Sequence, residues 1–376
     1  MKSKKEILGQ YFTKVEIVHN LLNLFLSYKK CEKNIKILEP ALGTGNFIKI
    51  LREKKFSNVD GCEIDADLAP EPSDFFEMPT TQKYDLVIGN PPFSKYNLEE
   101  SYFNIKEHLS FSPPTSTYLT KNEAGKNKEK IENIFLLKGL QHLKDSTSSI
   151  AFILPISFFI KNKNKSVKNE LLKNFSTIII YQDDKVWFDK NIPCCFAIFT
   201  NLEKLKNKIV LIYENGKKNE EVFEIEKIHE ELIPQVVFHK NNGHINNAKG
   251  VPLSEFFKTK KVKIKKSYKE NNVSAKNILE KSTIPENKTT ENYKIAIVRV
   301  GNSSVGKCGL INEHEDVLND MFYVFDLKDQ YTKNKAIKEN ICNQINANPD
   351  YFKKITCRVG SKSIKKEDIL NFKVIV

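Results

Sequence analysis

Four consecutive residues, Asn90-Pro91-Pro92-Phe93, have the types needed to activate a poor nitrogen nucleophile. Successive prolines donate no ladder hydrogen bond and force a stiff extended turn, so the carbonyls around them point in fixed directions. An exocyclic aromatic amine is weakly nucleophilic because its lone pair is delocalised into the ring. Two acceptors, the Asn90 side-chain oxygen and the Pro91 carbonyl, could take both amino hydrogens and draw that nitrogen towards tetrahedral geometry. Acceptors fixed in advance stabilise the reacting geometry without reorganising. Pro92 stiffens the turn, and Phe93 could stack on the base and hold it at attack distance. The bland alternative is a proline-rich strand terminator.

A second group sits upstream. Gly43 and Gly45 follow an apolar strand and allow a tight turn whose N–H groups can approach a ligand closely. Glu63, at the end of the next strand, could accept two hydrogen bonds from a ribose diol. NAD enzymes share that logic, but Gly43-Thr44-Gly45-Asn46-Phe47 lacks the third glycine of a dinucleotide fingerprint. Asp74-Phe75 could offer an acceptor to an adenine amino group and an apolar ring to cover the base; core packing is the alternative for Phe75.

The elements that must carry these residues follow from periodicity. Val15 to Tyr28 has apolar residues at helical spacing, and further helices are expected at 46–55, 131–143 and 166–175. Strands are expected at 35–38, 58–64, 84–88, 149–154, 177–181 and 195–200. This alternation implies an α/β fold with a predominantly parallel sheet covered on both faces, ligands binding at the carboxyl ends of its strands. Residues 94–130 read as a mobile loop beside the site. Beyond Thr200 short strand-like pieces take over, giving two expected domains, 1–235 and 236–376. Lys258 to Lys269 holds seven lysines and no acid, a solvated surface or a phosphate contact through Lys260 and Lys261.

With these motifs in this order, the chain resembles the gamma group of DNA adenine-N6 methyltransferases. Leu8-Gly9-Gln10-Tyr11-Phe12-Thr13 is similar to that family's N-terminal cofactor motif, which implies that Tyr11 and Thr13 meet the methionine end of S-adenosylmethionine. Glu39-Pro40-Ala41-Leu42-Gly43-Thr44-Gly45-Asn46-Phe47 matches the first cofactor motif. Glu63-Ile64 and Asp74-Phe75 stand where ribose and adenine contacts belong, and Asn90 borders both cofactor and target. Trp187-Phe188 resembles the motif that covers the other face of a flipped-out base, a role assigned to Phe188. Lys14 replaces a frequent proline, and Phe93 a frequent tyrosine. The resemblance covers roughly residues 6–200. It implies a Rossmann-like S-adenosylmethionine-dependent methyltransferase domain acting on adenine N6 in double-stranded DNA after base flipping, with a cognate restriction endonuclease as partner.

A fainter resemblance joins Ile297-Val298-Arg299-Val300-Gly301-Asn302, Gly306-Lys307, Val359-Gly360-Ser361 and Glu367-Asp368-Ile369-Leu370 to half of a type I restriction specificity subunit. It implies a smaller α+β target recognition domain, with Lys260, Lys261, Arg299, Lys307 and Lys362 as candidate DNA contacts. For Arg299 a structural ion pair is the competing role.

Bulk properties are compatible with this. The 376 residues carry a formal charge of +13, with 28 basic against 24 acidic residues over 1–200 and 32 against 23 over 201–376. A basic surplus favours a polyanionic partner, though lysine-rich codon usage would give the same excess. Seven scattered cysteines without C-x-x-C spacing suggest reduced thiols, and Cys194-Cys195 read as core. No metal ligand set, secretion signal or membrane span is expected, so a cytoplasmic location is. Because the chain opens at the cofactor region, no fused nuclease is expected upstream. The competing readings are an RNA or protein-glutamine methyltransferase with the same Asn-Pro-Pro turn, and a non-catalytic specificity subunit. Cytosine-N4 transfer needs the same acceptors. Cytosine-C5 chemistry needs a thiolate, and Cys194 lies far past the catalytic strand.

Overall fold

Apolar residues three and four apart fold Val15–Tyr28 into helix α1, which buries Ile17, Val18, Leu21, Leu22 and Phe25; Val15 begins the helix but stays 38% exposed. The computed structural model describes residues 8–93, 130–161, 163–189, 192–241, 250–258, 262, 267, 272–301, 303–356 and 363–375. Within it the chain divides into two compact units, Met1–Pro234 and Gln235–Val376.

The first unit is built on one eight-stranded sheet. Its strands are β1 (Lys36–Glu39), β2 (Asn58–Gly61), β3 (Leu86–Gly89), β4 (Ser149–Pro155), β5 (Thr177–Asp183), β6 (Cys194–Thr200), β7 (Lys208–Glu214) and β8 (Lys218–Glu224), in the order β2-β1-β3-β4-β6-β5-β7-β8. Strands β1 to β4 pair in parallel, as do β5 and β7; only β6 and β8 run against the rest. The central strands β3, β4 and β6 are buried throughout, as continuous apolar runs such as Leu86-Val87-Ile88 must be when both faces are covered. Cys194 and Cys195 are buried in β6. Helices α2 (Asn46–Glu53), α3 (Ile131–Gln141) and α4 (Lys165–Asn174) link the strands. The mixed α/β layering with a mainly parallel sheet is a Rossmann-like arrangement.

The expected elements recur with shifted ends. The second strand stops at Gly61 rather than Ile64, because the chain turns there to bond Cys62 N–H to the Glu39 carbonyl and Leu42 N–H to the Cys62 carbonyl. The expected loop at 94–130 falls outside the described residues except for Lys130, as does most of the lysine run.

The second unit is α+β. After the short strand β9 (Val251–Pro252), a three-stranded antiparallel sheet, β11-β10-β12, is made by β10 (Tyr293–Val298), β11 (Cys308–Asn312) and β12 (Phe322–Phe325). Helix α5 (Lys335–Asn346) packs Ile341, Cys342 and Ile345 into the same core as Ile295, Ile297 and Leu310. Among the described residues no helix is long and apolar enough to cross a membrane.

Candidate functional site

Parallel neighbours β2, β1 and β3 end side by side, so the residues that follow them meet at one edge of the sheet. A cavity of about 170 Å³ opens there. After β1 it is lined by Glu39, Ala41, Gly43, Asn46 and Phe47; after β2 by Glu63, Ile64, Asp74 and Phe75; after β3 by Asn90 and Pro92. The segment Leu8 to Thr13 completes it, contributing Tyr11 and Thr13. Residues as far apart in the sequence as Leu8 and Phe135 thus line one cavity.

That segment is stitched across the strand ends. Phe93 N–H donates to the Gly9 carbonyl at 3.0 Å, Asn90 Nδ2 to the Tyr11 carbonyl at 2.6 Å, and Asn46 Nδ2 to the Thr13 carbonyl at 2.7 Å. Asn90 therefore spends its donor on the scaffold. Among the described residues its buried Oδ1 has no hydrogen-bond partner, and neither has the buried Thr13 Oγ1. An unpaired buried acceptor costs about 1–3 kcal/mol, and two on one cavity wall are a donor-shaped deficit that a ligand could fill.

The glycine turn has left-handed backbone at Gly43 (φ +52°) and Gly45 (φ +74°). A Cβ at Gly43 would lie 3.0 Å from the Phe12 ring, whereas one at Gly45 would meet nothing within 4 Å. Gly43 is needed for space and φ, Gly45 for φ alone. Gly45 caps α2 and does not line the cavity. Glu63 holds the turn: its Oε2 accepts the Gly43 N–H at 2.6 Å and its Oε1 the Asp65 N–H at 2.9 Å. Sequence reasoning gave this carboxylate wholly to a ligand; each oxygen in fact already carries one backbone bond. Glu39 Oε2 accepts the Ile48 N–H at 3.2 Å, and burial, aided by the Glu63 charge, pushes the Glu39 carboxyl well above its usual range. Asp74 Oδ1 accepts the Phe76 N–H at 2.8 Å, and burial raises its carboxyl too.

Other candidates lie apart from the cavity. Pro91 is buried and Phe93 half-buried, and neither lines it. Phe188 is 1% exposed, its ring 6.1 Å from Tyr11 and 6.0 Å from Phe93. An aromatic so enclosed packs the core here instead of presenting an open face. Trp187 beside it stacks on Tyr181. In the second unit, Arg299 Nε donates to the Asp320 carbonyl at 2.6 Å, the guanidinium lies 3.7 Å from the Asp320 carboxylate and covers the Tyr323 ring, which answers to the ion-pair role. Lys307 is half-buried. Lys260, Lys261 and Lys362 lie outside the described residues. Sequence reasoning missed Gln10, whose Nε2 donates to Asp65 Oδ2 at 2.8 Å, and the cavity-lining Ile131 and Phe135 of α3. The apolar spacing of α3 was the available signal for the latter pair, and the motif at 8–13, which holds Gln10, was the signal for the former.

Against known proteins, residues 13–188 match the family model described as Eco57I restriction-modification methylase, a little under half of the chain. Type II methyltransferase M.HincII of Haemophilus influenzae is 31% identical over 193 residues, covering 50% of this chain and 36% of that protein. Type II methyltransferase M.TthHB8I of Thermus thermophilus is 22% identical over 183 residues, covering 46% and 41%. The chain thus spans about a third of the length of the Haemophilus relative. The crystal structure of the type IIG restriction endonuclease BpuSI superposes with a TM-score of 0.53 at 11% identity, covering 96% of this chain and 58% of that one, a likeness of fold. Over residues 13–188 the chain is therefore similar to restriction-modification methylases.

Proposed function

We propose that this protein is a sequence-specific DNA methyltransferase of the restriction-modification type, which methylates N6 of an adenine flipped out of double-stranded DNA and uses S-adenosylmethionine. The observation that carries the reading is Asn90 Oδ1, a buried acceptor without a partner among the described residues, at the carboxyl end of β3 beside a cavity that ends in a glycine turn.

The residues present fit the cofactor. Thr13 Oγ1 is an unpaired buried atom on the cavity wall, the Gly43 turn leaves room that a Cβ would take, and Glu63 and Asp74 supply acceptors. Tyr11, Thr13 and Glu39 would hold the amino-acid end, Glu63 and Ile64 the ribose, and Asp74 and Phe75 the base. S-adenosylmethionine, when bound, supplies a methyl group on a sulfonium, an electrophile that departs from a neutral thioether. The chain's own part is to make the target nitrogen nucleophilic. Asn90 Oδ1 and the Pro91 carbonyl accept hydrogen bonds from the two amino hydrogens, which localises the nitrogen lone pair, and once methylated the nitrogen releases one of those protons to solvent; Pro92 keeps the turn rigid and Phe93 stacks on the base. Because Nδ2 is tied to Tyr11, the amide cannot rotate to present its donor instead. Flipping places Phe188 on the other face of the base, which requires local opening of the core around it. Residues 236–376 would read the target, and an endonuclease recognising the same site would be the partner.

Asn90→Ala removes one of two acceptors, and loss of one such group costs about 10²–10³ in rate. The test is transfer of labelled methyl from S-adenosylmethionine to duplex DNA, with calorimetry of S-adenosylhomocysteine alongside. Transfer should fall by at least about a hundredfold while the variant still binds the cofactor product. Undiminished transfer by the variant would remove Asn90 from the chemistry.

A further inference from the structure

The corner that joins β5 to β6 begins at Asp183, the last residue of β5, and its carboxylate meets three donors. Oδ1 accepts the Trp187 Nε1–H at 2.5 Å and the Lys185 N–H at 3.1 Å, and Oδ2 accepts the Tyr181 hydroxyl at 3.0 Å. The Trp187 indole is 3% exposed and lies over the Tyr181 ring, 6.2 Å away at 18°. A buried indole N–H can only donate, so it needs an acceptor, and a carboxylate gives the stronger, charge-assisted bond. From the main-chain side, the Lys14 N–H donates to the Trp187 carbonyl at 3.1 Å, which ties the corner to the residue after Thr13. Trp187 is thus anchored through its ring and through its backbone, directly before Phe188.

The Phe188 ring packs on Tyr11 and meets Phe93 edge to face, centroids 6.0 Å apart at 77°. A base with a ring against each face needs about 7 Å between those rings, two contacts of about 3.5 Å. The two rings close on one another here, so one of them must move before a base can lie between them. Phe93 follows two prolines that stiffen its turn, which leaves the movement to Phe188. We infer that Asp183 is a positioning residue for the target base: through the Trp187 indole it fixes the backbone from which Phe188 turns, so the ring leaves Phe93 and meets the far face of the base in one position. This rests on the stacking role proposed above for Phe188.

Without the clasp the corner gains freedom that must be lost again when the base is stacked. That loss falls on the step that places the base at attack distance. It does not fall on cofactor binding, because neither Asp183 nor Trp187 lines the cavity. Asp183→Asn should preserve the arrangement. Its oxygen still accepts the indole N–H, and its amide can donate to the Tyr181 hydroxyl, which keeps Glu214 Oε2 at 3.0 Å as its own acceptor.

Methyl transfer from S-adenosylmethionine to an unmethylated plasmid of diverse sequence, with calorimetry of S-adenosylhomocysteine, tests this on the full chain. Asp183→Ala should lower kcat by about tenfold or more, as misplacement of a reacting group does, at an unchanged Kd for S-adenosylhomocysteine. Asp183→Asn should restore most of the rate. Because Asp183 acts through Phe188, the double variant Asp183→Ala/Phe188→Ala should be no slower than Phe188→Ala alone. Trp187 is the only tryptophan of the chain, so its emission reports the clasp; it should shift to the red in Asp183→Ala and not in Asp183→Asn. Losses that multiply in the double variant, or a Kd that rises in step with the fall in kcat, would overturn the inference and leave Asp183 a general support of the fold. Wild-type kcat or unshifted emission in Asp183→Ala would overturn it too. Should Asp183→Ala not fold, Trp187→Phe keeps a ring and removes the N–H, and wild-type kcat there would be equally fatal. A wild type that moves no methyl group to DNA would instead sink the methyltransferase reading itself.

Discussion

Thr13→Val replaces a hydroxyl by a methyl group at a position where the hydroxyl is buried and, among the described residues, unpaired. The side-chain shape is kept, so the ligand-free protein loses only the penalty of an unsatisfied polar atom, about 1–3 kcal/mol. Taking the low end, because a buried water could relieve part of it, the variant gains about 1 kcal/mol, which raises Tm by about 2–4 °C for a unit of this size. With cofactor bound the sign reverses, since the wild-type hydroxyl finds a partner and valine offers none. One neutral hydrogen bond is worth about 0.5–1.5 kcal/mol, so Kd for S-adenosylhomocysteine should rise by roughly two- to tenfold. Thermal unfolding by calorimetry, without and with saturating ligand, measures both. The variant should unfold higher than wild type when free and gain less from ligand. A variant that is less stable when free, with unchanged ligand affinity, would refute the reasoning, because Thr13 Oγ1 would then be satisfied within the protein.

Two further perturbations bear on the same cavity. Gly45→Ala should cost about 1–2 kcal/mol for a left-handed residue and leave cofactor affinity nearly unchanged, whereas Gly43→Ala adds a 3.0 Å encounter with Phe12 and should weaken affinity as well; calorimetry of both separates strain from space. Glu39→Gln keeps an acceptor for the Ile48 N–H but cannot ionise. The folded-state pKa of Glu39 is raised, so its stabilising contribution is complete below the ordinary carboxylate range and is lost as pH rises through the raised value. The variant should therefore exceed wild type in Tm near pH 7 and converge with it near pH 4.

How far the site could be read from the chain depended on distance along it. Gly43, Glu63 and Asn90 each follow a short strand, and a parallel sheet brings such strand ends together, so their gathering at one cavity follows from local pattern plus one rule of topology. The position of β6, antiparallel between β4 and β5, was not legible, because a continuous apolar run carries no strand direction. The side-chain roles were less legible still. Gln10 meets Asp65, Lys138 meets Met78, and Asn90 spends its Nδ2 on Tyr11, pairings made across 55 to 79 residues that no spacing encodes. Phe188 has the right type for stacking, yet its enclosure between Tyr11 and Phe93 depends on how the N-terminal segment crosses the strand ends. Arg299 likewise pairs with Asp320, a partner set by the β10–β12 register.

The most direct test is to express the wild type and Asn90→Ala beside a plasmid of diverse sequence and to map every modified base by single-molecule sequencing. N6-methyladenine is expected at every copy of one short motif in the wild-type sample and at none with Asn90→Ala. Unmodified DNA from a folded, cofactor-binding wild type, or methyl groups confined to cytosine, would contradict it.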